Sequence, residues 1–438
     1  MSEKSGAAFT RRTFIGIAGG VAASTLLAAC TRSGAGSTTS GGSSGKVIKF
    51  WNMPWGSPAF NTLDKKITGG FKSDGFSASY QEIQWANFTT VFSSAVVSNT
   101  GPAVSSGGGT QAFQFAHENK IAYADDLLNS WKSNGIYDDF LDGLLATMKT
   151  DKGYAAVPYN LDVRISWYSK SLMQQAGAEN PSTWDEYKEV CAKLKKIGVY
   201  GLGIGSGAGN FTGSHILTAF MINNGGGLFN AKQEPDVVTS LNEEAMEFVL
   251  ELIKSGYSDP RSATYTSQNI QSQWKAKKFG FGWDTAGLAS NVGGDATTDL
   301  VVGDPLTGPH GDKGGIYFPN NIMMYTSTPS QKGSEAFTTY YYKNMKQLWT
   351  QKTGIGLPPL KSIASALTDP VTVKVNKEWI PVYKTWAAPG GTGLFYNIAN
   401  TVDGTQPMTT FAQTILSGKT DAKTALQSLQ NSIEGLMK

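Results

Sequence analysis

The residues best placed to do chemistry are flat rings beside neutral hydrogen-bonding groups. Trp51-Asn52 precedes Trp55, Gln84 precedes Trp85, and Gly107-Gly108-Gly109 runs into Thr110. Such groupings suit the recognition of a neutral polar ligand better than bond cleavage. The classical reactive sets fit poorly. His117, His215 and His310 are isolated from one another, and no Cys or His spacing suggests a metal site. Gly203-Ile204-Gly205-Ser206-Gly207-Ala208 has glycine spacing close to a dinucleotide fingerprint, but lacks the acidic residue about 20 positions on. Gly205-Ser206-Gly207 does not meet the spacing of a hydrolase nucleophile elbow. No cofactor is expected.

The N-terminus fixes where this chemistry takes place. Arg11-Arg12 precedes an apolar run from Phe14 to Ala29, broken by Gly16, Gly19, Gly20, Ser24 and Thr25. A charged start, a short apolar core and small residues at its end make an export signal. The run is too short and broken for a permanent membrane span. The paired arginines resemble a twin-arginine signal, and Leu27-Ala28-Ala29-Cys30 resembles a lipobox whose cysteine is lipidated. Residues 1–29 are therefore expected to be a signal peptide. Residues 30–45, rich in Ser, Thr, Gly and Ala, lack the apolar side chains to offset the entropy of ordering and read as a tether. The body would sit roughly 20 Å from the outer face of a bacterial cytoplasmic membrane.

The rest is long enough for two domains with substantial cores. The formal net charge of the whole chain is +3, too small for the footprint of a nucleic-acid binder. Once Cys30 is lipidated, Cys191 is left without a disulfide partner.

The elements that must position the rings alternate. Val47 to Trp51 reads as a buried strand, a helix runs to about Phe71, and a second strand covers Phe76 to Ile83. Phe88, Val91, Phe92, Ala95 and Val96 recur at helical spacing, and Ala103-Val104 opens a third strand. Strand, loop and helix repeated in this way make an α/β domain with a parallel sheet, whose ligands sit beyond the carboxyl ends of the strands. Thr183-Trp184-Asp185-Glu186 reads as a capping box opening a helix with Trp184, Tyr187, Val190, Cys191 and Leu194 on its apolar face. Amphipathic helices are expected over Leu241–Lys254, Ser334–Trp349 and Thr420–Leu436. Helical phase scatters Tyr340, Tyr341 and Tyr342 around the second of these, which predicts packing roles.

Tyr154-Ala155-Ala156-Val157-Pro158-Tyr159-Asn160 leads through Asp162 to Trp167-Tyr168-Ser169-Lys170-Ser171-Leu172, then Ala176-Gly177 and Pro181-Ser182-Thr183-Trp184-Asp185-Glu186. This order resembles the extracellular solute-binding proteins of bacterial ABC sugar importers, the maltose-binding-protein-like group. Ser169 and Ser171 depart from the usual Asn and Asp of that family. Asn223-Asn224-Gly225, Gly282-Trp283-Asp284, Asp304-Pro305-Leu306 and Asn320-Asn321-Ile322 also fit, and the resemblance covers residues 46–438.

The resemblance implies a two-lobe periplasmic-binding-protein fold with parallel-type sheets, a hinge and a ligand cleft between the lobes. It divides the body into an N-terminal lobe of residues 46–160 and 298–350 and a C-terminal lobe of 161–297 and 351–438. It places Asp162 against a sugar hydroxyl, the other reading being a surface pair with Arg164, and Trp283 and Trp386 as stacking rings, with Asp284 beside them. Trp51, Trp55 and Trp85, at strand ends, are each either a further platform or core filler, and Asn52, Gln84, Thr110, Asn320 and Asn321 are polar candidates. The function implied is a monomeric, lipid-anchored receptor that takes a di- or oligosaccharide to an ABC permease without altering it. Two alternatives stand beside it: a binding protein for a non-sugar solute, and a secreted glycosidase or lyase. For a glycosidase, Asp162 and Asp284 would have to lie about 5–9.5 Å apart.

Overall fold

The structure is a computed structural model. It describes residues 46–109, 111–230, 232, 234–384 and 406–436. Cys30, Thr110 and Trp386 lie outside these described residues.

The chain builds an α/β body on two sheets. In the larger, β1 (Lys46–Asn52) lies parallel to β3 (Phe76–Glu82) and to β4 (Val104–Gly107). Parallel neighbours need a crossover; the helix Pro58–Gly69 supplies it between β1 and β3 and buries Phe60, Leu63 and Ile67. The short β2 (Lys72–Ser73) flanks β3, and β5 (Ile121–Ala122) pairs with a later strand. That strand is β10 (Gly315–Tyr325), which enters antiparallel to β4, to β5 and to β6 (Val157–Val163). The sheet is therefore mixed, where a parallel type was expected. Strand β11 (Tyr383–Lys384) closes its far edge.

The smaller sheet has the order β8 (Phe281–Asp284), β7 (Ile165–Ser169), β9 (Leu300–Val302), with antiparallel pairing. Parallel bridges Tyr200↔Phe279 and Gly203↔Gly282 extend it. Because Leu300–Val302 pairs here, the chain rejoins the larger sheet at Gly315, later than the expected crossing at residue 298. After residue 350 it stays beside the first sheet for a while, through bridges Leu161↔Leu357 and Phe140↔Leu360. The helices Gln406–Leu416 and Ala422–Leu436 then pack into the core of the second lobe.

The helix Trp184–Lys196 buries Trp184, Tyr187, Val190, Cys191 and Leu194, the stripe read from its periodicity. Its N-cap differs in detail from the expected box. Thr183 accepts from the Glu186 amide, but the Glu186 carboxylate accepts from the Ser182 amide at 2.7 Å, one residue earlier. Burial raises the Cys191 thiol pKa to about 12, so it stays a protonated core group. Tyr341 and Tyr342 are buried, and Tyr340 packs against the same core.

Candidate ligand-binding cleft

A cavity of about 320 Å³ opens where strand ends of both sheets converge. The loop after β1 brings Trp55 to it, the turn after β3 brings Trp85, and the turn after β4 presents Gly108 and Gly109. On a strand, alternate residues share a face. Asn160 and Asp162 of β6, with Arg164 just beyond, obey that period and all line the cavity. Opposite stand Phe211 and His215, from the start of the helix Thr212–Asn223, and Asp284 at the end of β8.

The ring wall is held edge to face. Trp55 and Trp85 have centroids 4.8 Å apart at 87°. The Trp55 indole N–H donates to Asn52 Oδ1 at 2.8 Å and Ser106 Oγ at 3.0 Å. The Trp85 N–H donates to the Pro54 carbonyl at 3.2 Å. Beside the rings lie amides with capacity to spare. Asn320 Nδ2 donates to Asn160 Oδ1 at 3.0 Å, while the buried Asn160 Nδ2 and Gln111 Oε1 have no hydrogen-bond partner among the described residues. A buried polar atom in that condition costs about 1–3 kcal/mol, which a ligand hydroxyl would recover.

Charged groups run from the end of β6 to the facing wall. Arg164 donates to Asp162 at 2.6 Å, and its other guanidinium nitrogen lies 2.8 Å from His215 Nδ1. A guanidinium cannot accept, so Nδ1 accepts and the imidazole carries its proton on Nε2. Phe318 lies under both, 5.3 Å from the guanidinium carbon and 4.5 Å from the imidazole centroid. Asp284 keeps a partly exposed edge on the cavity but is otherwise hemmed in. Burial lifts its pKa from 3.8 to about 6; the Thr285 amide and Arg164 pull it down, and the Asp162 charge pushes it further up. Among the described residues no cluster of His, Cys, Asp or Glu could hold a metal ion.

Trp55, Trp85, Asp162, Asp284 and Asn320 thus meet in one cleft. The other expected residues that the structure describes do not. Trp283 precedes Asp284 on β8, so the pleat turns it away from the cleft. It is 6% exposed and packs edge to face on Tyr187, Phe220 and Phe281, which corrects its expected stacking role. Trp51 is core, edge-on to Phe92. Asn52 is fully buried beneath Trp55. Gln84 points to solvent and bonds Glu82. Asn321, beyond the register shift in β10, donates to the Gly108 carbonyl at 3.1 Å and shapes the loop from behind. Sequence reasoning missed Asn160, Arg164, His215, Phe211, Phe318 and Gln111. The period-two spacing of Asn160, Asp162 and Arg164 could have revealed the first two.

Two α/β lobes around a cleft of rings, amides and charged groups define a two-lobe solute-binding protein. The model of the family described as bacterial extracellular solute-binding protein matches residues 56–348, and the chain belongs to that family. It is similar to the crystal structure of a sugar transporter from Arthrobacter chlorophenolicus A6 with bound laminaribiose. The two are 48% identical with a TM-score of 0.86, covering 90% of this chain and 100% of that one. Maltose-bound MalE3 of T. maritima shares the fold at 15% identity and a TM-score of 0.72, covering 89% of this chain and 99% of its own. The putative ABC transporter periplasmic-binding protein YcjN of Escherichia coli (strain K12) is 22% identical over 320 residues, 68% of this chain and 71% of its own length.

Proposed function

We propose that this chain captures a disaccharide or short oligosaccharide in the cleft and hands it, unaltered, to an ABC permease. The observation that carries the reading is the pairing of flat rings with hydrogen-bonding groups in one cleft. Trp55 and Trp85 offer faces for the apolar C–H surface of a sugar ring, while Asn160, Gln111, Asp162 and Asp284 offer partners for its hydroxyls. The 48% identity to a protein crystallised with laminaribiose makes that disaccharide the first to test. The lobes would close by bending where β6 and β10 run side by side, the strands by which the chain passes between them.

Export and anchoring rest on the first 45 residues. Lipidation of Cys30, at the end of Leu27-Ala28-Ala29-Cys30, would tether a monomeric receptor to the outer face of the membrane. Replacement of Cys30 by Ala should move the protein from the membrane fraction to the medium or periplasm.

The decisive experiment is calorimetric titration of the protein with laminaribiose, maltose and longer glucans, with phosphate esters and polyamines as non-sugar controls. Micromolar binding of a sugar, about 8 kcal/mol, is the expected result. Binding of a control with no sugar bound would overturn the reading, and turnover of the titrated glycoside would make the protein an enzyme.

A further inference from the structure

Beneath the ring wall lies a buried polar chain that ligand capture does not use directly. Asp64, on the helix Pro58–Gly69, has no exposed surface, yet carries a carboxyl group. It accepts from Tyr341 OH at 2.6 Å and from Asn52 Nδ2 at 2.6 Å, and Tyr341 OH lies 2.8 Å from Tyr159 OH. Asn52 is equally buried, at the last position of β1. Its Oδ1 receives two donors, the Met53 amide at 3.0 Å and the Trp55 indole at 2.8 Å.

An asparagine amide can be turned end for end at little intrinsic cost, so something must choose its direction. Here the two ends of Asn52 face opposite demands. Asp64 Oδ2 accepts from the NH₂ end, its Oδ1 being engaged by Tyr341 OH; the Met53 and Trp55 N–H groups require an acceptor at the other end. A reversed amide would set an NH₂ group against two N–H donors and an oxygen against a carboxylate. Asp64 therefore fixes Asn52, and Asn52 fixes the indole of Trp55.

We propose that Asn52 and Asp64 are positioning residues for the cleft: together they lock the Trp55 ring in the orientation that meets the ligand. This rests on the sugar-binding reading for its purpose, but the locking itself is a property of the unliganded protein. Ser106 Oγ is a second acceptor for both N–H groups, but at 3.0 Å from the indole and 3.4 Å from the Met53 amide it is the more distant partner of each. Rings meet Trp55 from two sides, Trp85 at 4.8 Å and Tyr159 at 6.2 Å, so a turned indole would collide with them or lose both contacts.

The test follows the indole N–H of Trp55 by nitrogen-15 NMR in the full chain, the signal being assigned by its loss in Trp55→Phe. In Asn52→Ser and Asp64→Leu the resonance should move upfield and its hydrogen exchange should quicken by about tenfold, and laminaribiose affinity should fall by about tenfold. Asp64→Asn, which still presents an oxygen to Asn52 Nδ2, should restore both readings. A resonance and exchange rate unchanged in Asn52→Ser would overturn the inference, and this variant decides alone if Asp64→Leu does not fold. Should laminaribiose fail to bind the unmodified chain, the proposed ligand is wrong, while the indole measurements still decide whether the lock exists.

Discussion

The two walls of the cleft are made of different chemistry. On the larger sheet's side stand Trp55, Trp85, Gln111, Asn160 and Asn320, none of which changes charge at ordinary pH. At the end of β6 and across the cleft from it stand Asp162, Arg164, His215 and Asp284, an ion pair, an imidazole and a carboxylate lifted to about 6. Neutral groups and rings recognise a sugar with little dependence on pH. The charged groups give stronger hydrogen bonds, about 1.5–3 kcal/mol each, and one of them, Asp284, is lifted toward neutrality. Binding energy and its pH dependence should therefore come from different groups of the cleft.

The largest effect separates what stands on a wall from what stands behind it. Trp283 is walled in by Tyr187, Phe220 and Phe281. Its replacement by Ala should destabilise the fold by about 3–5 kcal/mol, read as a lower midpoint in denaturant unfolding. Full stability with weakened ligand binding would return Trp283 to the cleft.

Second in size is a stability effect of pH. Burial lifts Asp64 from 3.8 to about 7, only partly offset by hydrogen bonds from Tyr341 and Asn52. Asp284 is lifted in the same direction. Between about pH 4 and pH 7 the unfolded chain loses protons that the folded chain keeps, so unfolding free energy should fall as pH rises through that window. Asp299 works in the opposite sense. Burial raises it, but hydrogen bonds from Ser169 and Ser171 and the charge of Lys277 leave it below its usual value, so its contribution is lost only on further acidification. Asp64→Asn should remove about 2–3 kcal/mol of the fall between pH 4 and pH 7. Thermal melts across that range would show it, and a slope identical to the unmodified protein would refute it.

The cleft residues recoverable from sequence alone share a property: local pattern marks them. Trp55 and Trp85 follow strand-like stretches, and Asp162 lies in a stretch whose order of residues is distinctive. Trp283 shows the limit. Its place at the end of β8 was legible, but which of Trp283 and Asp284 faces the ligand depends on the phase of the pleat, and a shift of one residue reverses it. His215 and Phe318 carry no local signal, because their approach to Arg164 is made by a helix and a strand far apart in the chain. The sheet a short strand joins is hidden for a similar reason. Leu300–Val302 is a short strand whose sheet is chosen by its partner β7, which nothing in its own three residues reveals.

Smaller effects sharpen the contrast between the walls. Trp55→Ala should weaken laminaribiose binding by about tenfold, about 1.4 kcal/mol, equally at pH 5 and pH 8. Asp284 should behave otherwise. An ionised carboxylate only accepts, so a sugar hydroxyl that donates to it binds best above its pKa and the complex weakens as pH drops through about 6. Asp284→Asn should bind less tightly at pH 8 and lose that slope. Parallel pH profiles for both variants would dissolve the distinction between the walls.

The smallest effect belongs to Gln84. Its side chain is exposed and engaged with Glu82, although it directly precedes a residue of the ring wall. Exposed substitutions away from special features stay within about 0.5 kcal/mol. Gln84→Ala should therefore leave laminaribiose affinity within about twofold of the unmodified chain by calorimetry. A larger loss would mean that the turn after β3 folds inward on the ligand, bringing Gln84 to the sugar and extending the neutral wall by one amide. The affinity of this single variant thus measures where that wall ends.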